Sequence, residues 1–137
     1  MTDTDLVLQT FEIAAETGED ITQAVNEAFI AASPTSGELM DHMDEYMLGR
    51  MTDEVLTVLM ADDVSTQRDY LNFEVDSHRA YGVLPDMYRQ LLVAVRDTVR
   101  SMLGSAWSAD YDAAWDARIQ ALLKEIDQAA LAAGEEV

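Results

Sequence analysis

Apolar residues recur along this chain at steps of three and four, the spacing that lines one face of an α-helix. Leu6, Val7, Phe11, Ile13 and Ala14 form a first amphipathic stretch that Gly18 stops. Asp20 can cap a second, where Ile21, Ala24, Val25, Ala28, Phe29 and Ala32 share the helical spacing before Ser33-Pro34 ends it. A methionine-rich run follows: Leu39, Met40, Met43, Met47, Leu48, Met51, Val55, Leu56 and Leu59, with Gly49 as its one candidate break. The next helix is expected over Ser65 to Arg79, where Leu71, Val75 and His78 fall on one face. Pro85 suits the first turn of a long helix reaching Leu103, with Leu91, Leu92, Val95, Val99 and Met102 inward and Gly104 closing it. Ser108 caps a last helix of about 25 residues, burying Tyr111, Trp115, Ile119, Leu122, Leu123 and Ile126. No stretch alternates with the period of a strand. The pattern predicts a single all-α domain over residues 1–137, with a frayed tail from about Ala129 to Val137.

Composition narrows the chemistry. The chain has 137 residues, enough to bury about two-thirds of its unfolded surface in one core. It contains no cysteine, which excludes disulfides, iron–sulfur clusters and thiolate-ligated haem. No apolar run approaches the roughly 20 residues of a membrane helix. The start, Met1-Thr2-Asp3-Thr4-Asp5, has neither a basic lead nor an apolar signal core, so a cytoplasmic protein is expected.

The net charge is −19 and unevenly spread. Residues 1–63 hold fifteen acids against Arg50 alone (−14), and residues 64–137 hold twelve acids against seven bases (−5). Nucleic acids and anionic membranes select the opposite sign, so neither is an expected partner. Solvated acidic helix surface is the ordinary explanation; a basic partner on the N-terminal half is the alternative. Phosphate loops, cysteine nucleophiles and His-Glu-x-x-His metal motifs are all missing. Paired acids such as Asp53-Glu54 and Asp62-Asp63 point in different directions on a helix, as exposed carboxylates do.

With two histidines and no thiol, transition-metal chemistry would rest on His42 or His78. His78 lies in Val75-Asp76-Ser77-His78-Arg79-Ala80-Tyr81-Gly82-Val83, followed by Pro85 and Tyr88, and further on by Trp107-Ser108 and Ala114-Trp115. That order resembles the proximal half of bacterial single-domain haem globins and of flavohaemoglobin globin domains. Glu16-Thr17-Gly18, Ile21-Thr22, Val25, Phe29 and Ser33-Pro34 are similar to the first two helices of the same family. The likeness spans nearly the whole chain and is strongest from Phe73 to Leu123.

The resemblance implies a globin-like fold that binds haem b, with His78 as the axial iron ligand. It implies reversible binding of a diatomic gas (oxygen, nitric oxide or carbon monoxide) and no catalytic residues. Nitric oxide dioxygenation would need a separate reductase, and a homodimer is a further possibility. A haem-free globin-fold sensor or interaction module is the alternative. Tyr88 matches a tyrosine of the family's proximal surroundings, and Asp112 is a further candidate acceptor. Met40 stands where most globins place a phenylalanine against haem, and Asn26 where the second-helix tyrosine would be. The position facing the gas falls on Arg50 counting forward, or on Tyr46 or Met47 counting back from His78. Met40, Met43, Met47 and Met51 would form an apolar ridge on this distal side, and Val83 would line the proximal corner. Arg50, Arg79 and Arg89 are candidate cations for the haem propionates, and His42 is either a solvated imidazole or a second haem contact.

Overall fold

A computed structural model describes residues 1–134. Among them the chain is all-helical, at 81% helix with no strand. Seven α-helices follow in order: α1 Asp3–Glu16, α2 Ile21–Ala32, α3 Pro34–Leu39, α4 Glu45–Leu59, α5 Arg68–Arg79, α6 Pro85–Leu103 and α7 Ala109–Ala132. Short 3₁₀ turns over Val64–Gln67 and Gly104–Ala106 lead into α5 and out of α6. No described helix is long and apolar enough to cross a membrane.

Local signals set most of the boundaries. Thr2 and Asp5 cap α1 reciprocally, the Thr2 hydroxyl accepting from the Asp5 N–H at 3.1 Å and the Asp5 carboxylate from the Thr2 N–H at 3.0 Å. Asp20 caps α2, accepting from Thr22 N–H at 3.0 Å. Ser108 caps α7 in the same way through Tyr111 N–H.

The methionine-rich run departs from its expected form. Gly49 sits inside α4 without breaking it, and the break falls at residues 40–44, where Asp44 caps α4 by accepting from Met47 N–H at 2.9 Å. Pro34 both ends α2 and opens α3, a helix that the apolar spacing does not mark. The tail also differs: α7 continues to Ala132 with Ala129 and Ala130 buried, and residues 135–137 of the expected frayed segment lie outside the described residues.

The long C-terminal helices organise the core. α2 packs along α6, α5 and α1 along α7, and α6 against α7. Val7, Val25, Leu59, Val75, Val95, Val99, Trp115 and Leu122 are sealed at its centre. The Trp115 ring meets Phe11 edge-on at 5.3 Å, and its indole N–H donates to the Thr10 hydroxyl at 3.0 Å, so the one polar atom of the ring is satisfied inside the core. Buried Arg118 of α7 donates to the carbonyls of Leu59 and Ala61 and to the Thr4 hydroxyl. That fork satisfies carbonyls left over at the end of α4 and ties them to the start of α1.

Candidate functional site

The site is built on α4, α5 and the turn after α5. The Tyr70 hydroxyl of α5 donates to the Glu54 carboxylate of α4 at 3.0 Å, linking two helices that otherwise pack little on each other. On α4 the same face carries Arg50, Met51 and Met47 at steps of four, three and seven before Glu54. On α5 the ridge continues from Tyr70 in steps of four to Glu74 and His78. The expected methionine ridge is therefore only half a ridge. Met47 and Met51 share a helix face, whereas Met40 caps α3 and packs on the core and Met43 lies in the intervening turn.

His78 is the best-defined group here. Its Nδ1 lies 2.8 Å from the Glu74 carbonyl oxygen and 3.2 Å from a Glu74 carboxylate oxygen. A carbonyl and a carboxylate can only accept, so the proton of neutral imidazole belongs on Nδ1 and the lone pair on Nε2. The side chain is 48% exposed, so Nε2 chemistry is open to an incoming group. His42 lies exposed in the turn between α3 and α4.

The α5 terminus holds His78 in place. The His78 carbonyl accepts from the N–H groups of Tyr81 and Val83, and Gly82 takes a φ of +90°, a conformation that favours glycine. A Cβ at Gly82 would come within 3.8 Å of Leu39, so the end of α3 closes on this turn and brings Met40 toward it along the chain. Val83 is half-buried beneath the turn.

The remaining expected residues divide. Tyr88 of α6 is half-buried with its hydroxyl shielded, and its charge influence reaches Tyr70, so it stands behind the α4–α5 junction. Burial first, and the bond to Glu54 second, push the Tyr70 hydroxyl well above the usual tyrosine range. Arg50 is 70% exposed and pairs loosely with Glu54 at 3.8 Å. Arg79 donates to the Ala133 carbonyl at the end of α7, a backbone cap rather than a free cation. Arg89 lies elsewhere, in a groove between α2 and α6. Asp112 accepts from the Trp107 indole at 3.3 Å. The Asn26 amide N–H₂ is taken up by the Thr22 carbonyl and the Thr52 hydroxyl at the α2–α4 crossing.

Glu74 is the site residue that the sequence reading missed. The signal was present as a Glu–His pair at i, i+4, which places both on one helical ridge. Among the described residues, five of the eight exposed large apolar side chains lie on α4, α5 or the turn after α5: Tyr46 and Met47, Phe73, and Tyr81 and Leu84. Exposed apolar surface concentrated this way marks a binding site more often than chance placement does. Among the described residues no group of three or more His, Cys, Asp or Glu side chains could hold a metal ion.

No protein-family model matches this chain, and no curated protein matches it.

Proposed function

We propose that the chain is a globin-like protein that binds haem b through His78 and reversibly binds oxygen or another diatomic gas. The observation that carries the reading is the pair of acceptors on His78 Nδ1, which leaves Nε2 as an electron-pair donor. The donor chemistry suits the cofactor: a lone imidazole whose Nδ1 has two acceptors, leaving Nε2 to donate. The globin-like architecture is supported by the helix order, with a short α3, the histidine at the end of α5, and the long α6–α7 pair beneath.

Ferrous haem, when bound, supplies the reversible ligation of the gas. The chain's own groups do the rest. His78 offers its Nε2 lone pair, and Glu74 holds the ring against rotation. Met47 and Met51, four residues apart on α4, offer polarizable apolar surface that a bound haem could cover. Arg50, on the same face of α4, is the cation best placed to meet a propionate. A cysteine-free chain suits the reducing cytoplasm.

Hemin titration of the full chain tests the proposal. Near-stoichiometric uptake with a Soret band is expected. His78→Ala should lose axial ligation while keeping its helical circular dichroism, and added imidazole should partly restore the spectrum. His42→Ala should leave the spectrum intact. A folded, colourless protein that takes up no hemin would favour a second reading. In that reading the exposed Tyr46, Phe73, Tyr81 and Leu84 form the docking face of a haem-free interaction module.

A further inference from the structure

We propose that the half-open apolar pocket bordered by the ends of α1, α4 and α6 binds a small hydrophobic cation, an aromatic or branched alkyl body bearing an ammonium group. The pocket has a volume of about 360 Å³, at the lower end of the roughly 300–1,000 Å³ of small-molecule sites. Phe11, Ile21, Leu56, Met60 and Met102 line it, and each is only half-buried. Four of them, Phe11, Ile21, Leu56 and Met102, also pack on the core, so the walls are held from behind. Two thioethers beside an aromatic ring make a wall that adapts to an apolar guest. None of the lining residues belongs to the His78 site, so the inference stands apart from the haem reading.

The sign of the ligand's charge follows from the rim. Glu19 is the one ionised side chain in the lining; it is exposed and makes no ion pair among the described residues. Ala15 and Gly18 bring the C-terminus of α1 to the pocket, Met60 is the C-cap of α4, and Met102 stands one residue before the end of α6. Three helix C-termini therefore border one pocket, and a helix C-terminus carries partial negative charge. Arg118 offsets the end of α4 by donating to the Leu59 and Ala61 carbonyls, and Arg100 lies in the last turn of α6. The last turn of α1 has no base, and no lysine or arginine lines the pocket. A cation gains from this field, a neutral molecule of the same shape does not, and an anion is repelled.

Amide NMR of the isotope-labelled full chain, titrated with benzyltrimethylammonium, tests the site with a probe whose charge is permanent. Saturable shifts clustered on the pocket's own residues are expected. The neutral isostere neopentylbenzene should bind about threefold more weakly. Glu19→Gln should weaken the cation about two- to fivefold, as loss of an exposed charge interaction does, and leave the neutral compound unchanged. Ala15→Leu, on the exposed rim, keeps a strong helix former and fills the opening, so it should weaken both compounds about tenfold with helical circular dichroism intact. Shifts that never saturate or spread over the acidic surface would overturn the proposal, as would equal affinity for the two compounds. Unchanged cation binding in Glu19→Gln or in folded Ala15→Leu would overturn it too. The Glu19→Gln comparison decides the matter by itself should Ala15→Leu fail to fold.

Discussion

Tyr70 is where the two halves of the site are joined by a single hydrogen bond, so its removal is the most local test of the geometry. Its hydroxyl is half-buried and donates to Glu54 at 3.0 Å. A hydrogen bond to a charged partner contributes about 1.5–3 kcal/mol when desolvated, and Glu54 is exposed enough to recover water, so Tyr70→Phe should cost about 1 kcal/mol at pH 7. The pH dependence has a definite sign. The folded pKa is raised above the unfolded one, so this contribution is whole below about pH 10 and is lost as pH climbs through the folded value. In a spectrophotometric titration Tyr70 should ionise above the usual tyrosine range. Urea unfolding at pH 7 and about pH 11.5 should show Tyr70→Phe losing less stability with alkali than the unchanged chain. Equal stability of the two proteins at both pH values would mean that the α4–α5 junction is held by packing alone.

At the scale of elements, α5 is anchored at its two ends by different means. Its C-terminus is closed by the Gly82 turn, and its N-terminus by Arg68, whose guanidinium forks onto the Glu125 carboxylate of α7 with both contacts at 2.9 Å. Those bonds hold the Glu125 carboxyl below its usual range against the opposing effect of burial. The folded pKa is lowered, so the stabilisation is present above the ordinary carboxylate value of about 4.3 and disappears as pH falls through the lowered one. Glu125→Gln should therefore lower the urea midpoint at pH 7, and the gap to the unchanged chain should close on acidification. A gap that stays constant to pH 2 would show that the fork adds no net charge-dependent stability.

How far these elements can be read from the chain depends on how strong their stop signals are. Gly18, Ser33-Pro34, Gly104 and the caps Asp20 and Ser108 each coincide with the end of an apolar period, so α1, α2, α6 and α7 are legible in the sequence. The run from Leu39 to Leu59 misleads because Met40, Met43 and Met47 continue the period straight through the turn at 40–44. Only Asp44, one acid among many, marks the new start. The steps of four from Tyr70 to Glu74 and His78 are present in the sequence, but the apolar period groups His78 with Leu71 and Val75, which are buried while His78 is exposed. The pairing of Glu54 with Tyr70, the use of Arg79 as a cap for α7 and the engagement of Asn26 by Thr52 are long-range facts that no local period encodes.

For the molecule as a whole, the dominant long-range term is its own charge. A net −19 over 137 residues means that folding gathers like charges, and the first 63 residues, at −14, contribute most of it. The described ion pairs are few: Arg50–Glu54, Arg68–Glu125, Arg96–Asp97 and the His78–Glu74 contact. Most carboxylates, then, repel one another across solvent, and screening should stabilise the fold. Between 0.01 M and 1 M sodium chloride the screening length falls from about 30 Å to about 3 Å. The thermal midpoint should rise across that range, each 1 kcal/mol of relieved repulsion appearing as roughly 3–5 °C for a chain of this size. Charge, rather than a general salting-out of apolar surface, is identified by a second arm. The double substitution Glu12→Gln and Glu16→Gln removes two exposed charges from α1, so it should raise the midpoint in 0.01 M salt and change it little in 1 M. A salt response that is the same in the double variant at every concentration would assign the stabilisation to burial of apolar surface and leave the acidity without an energetic role in the fold.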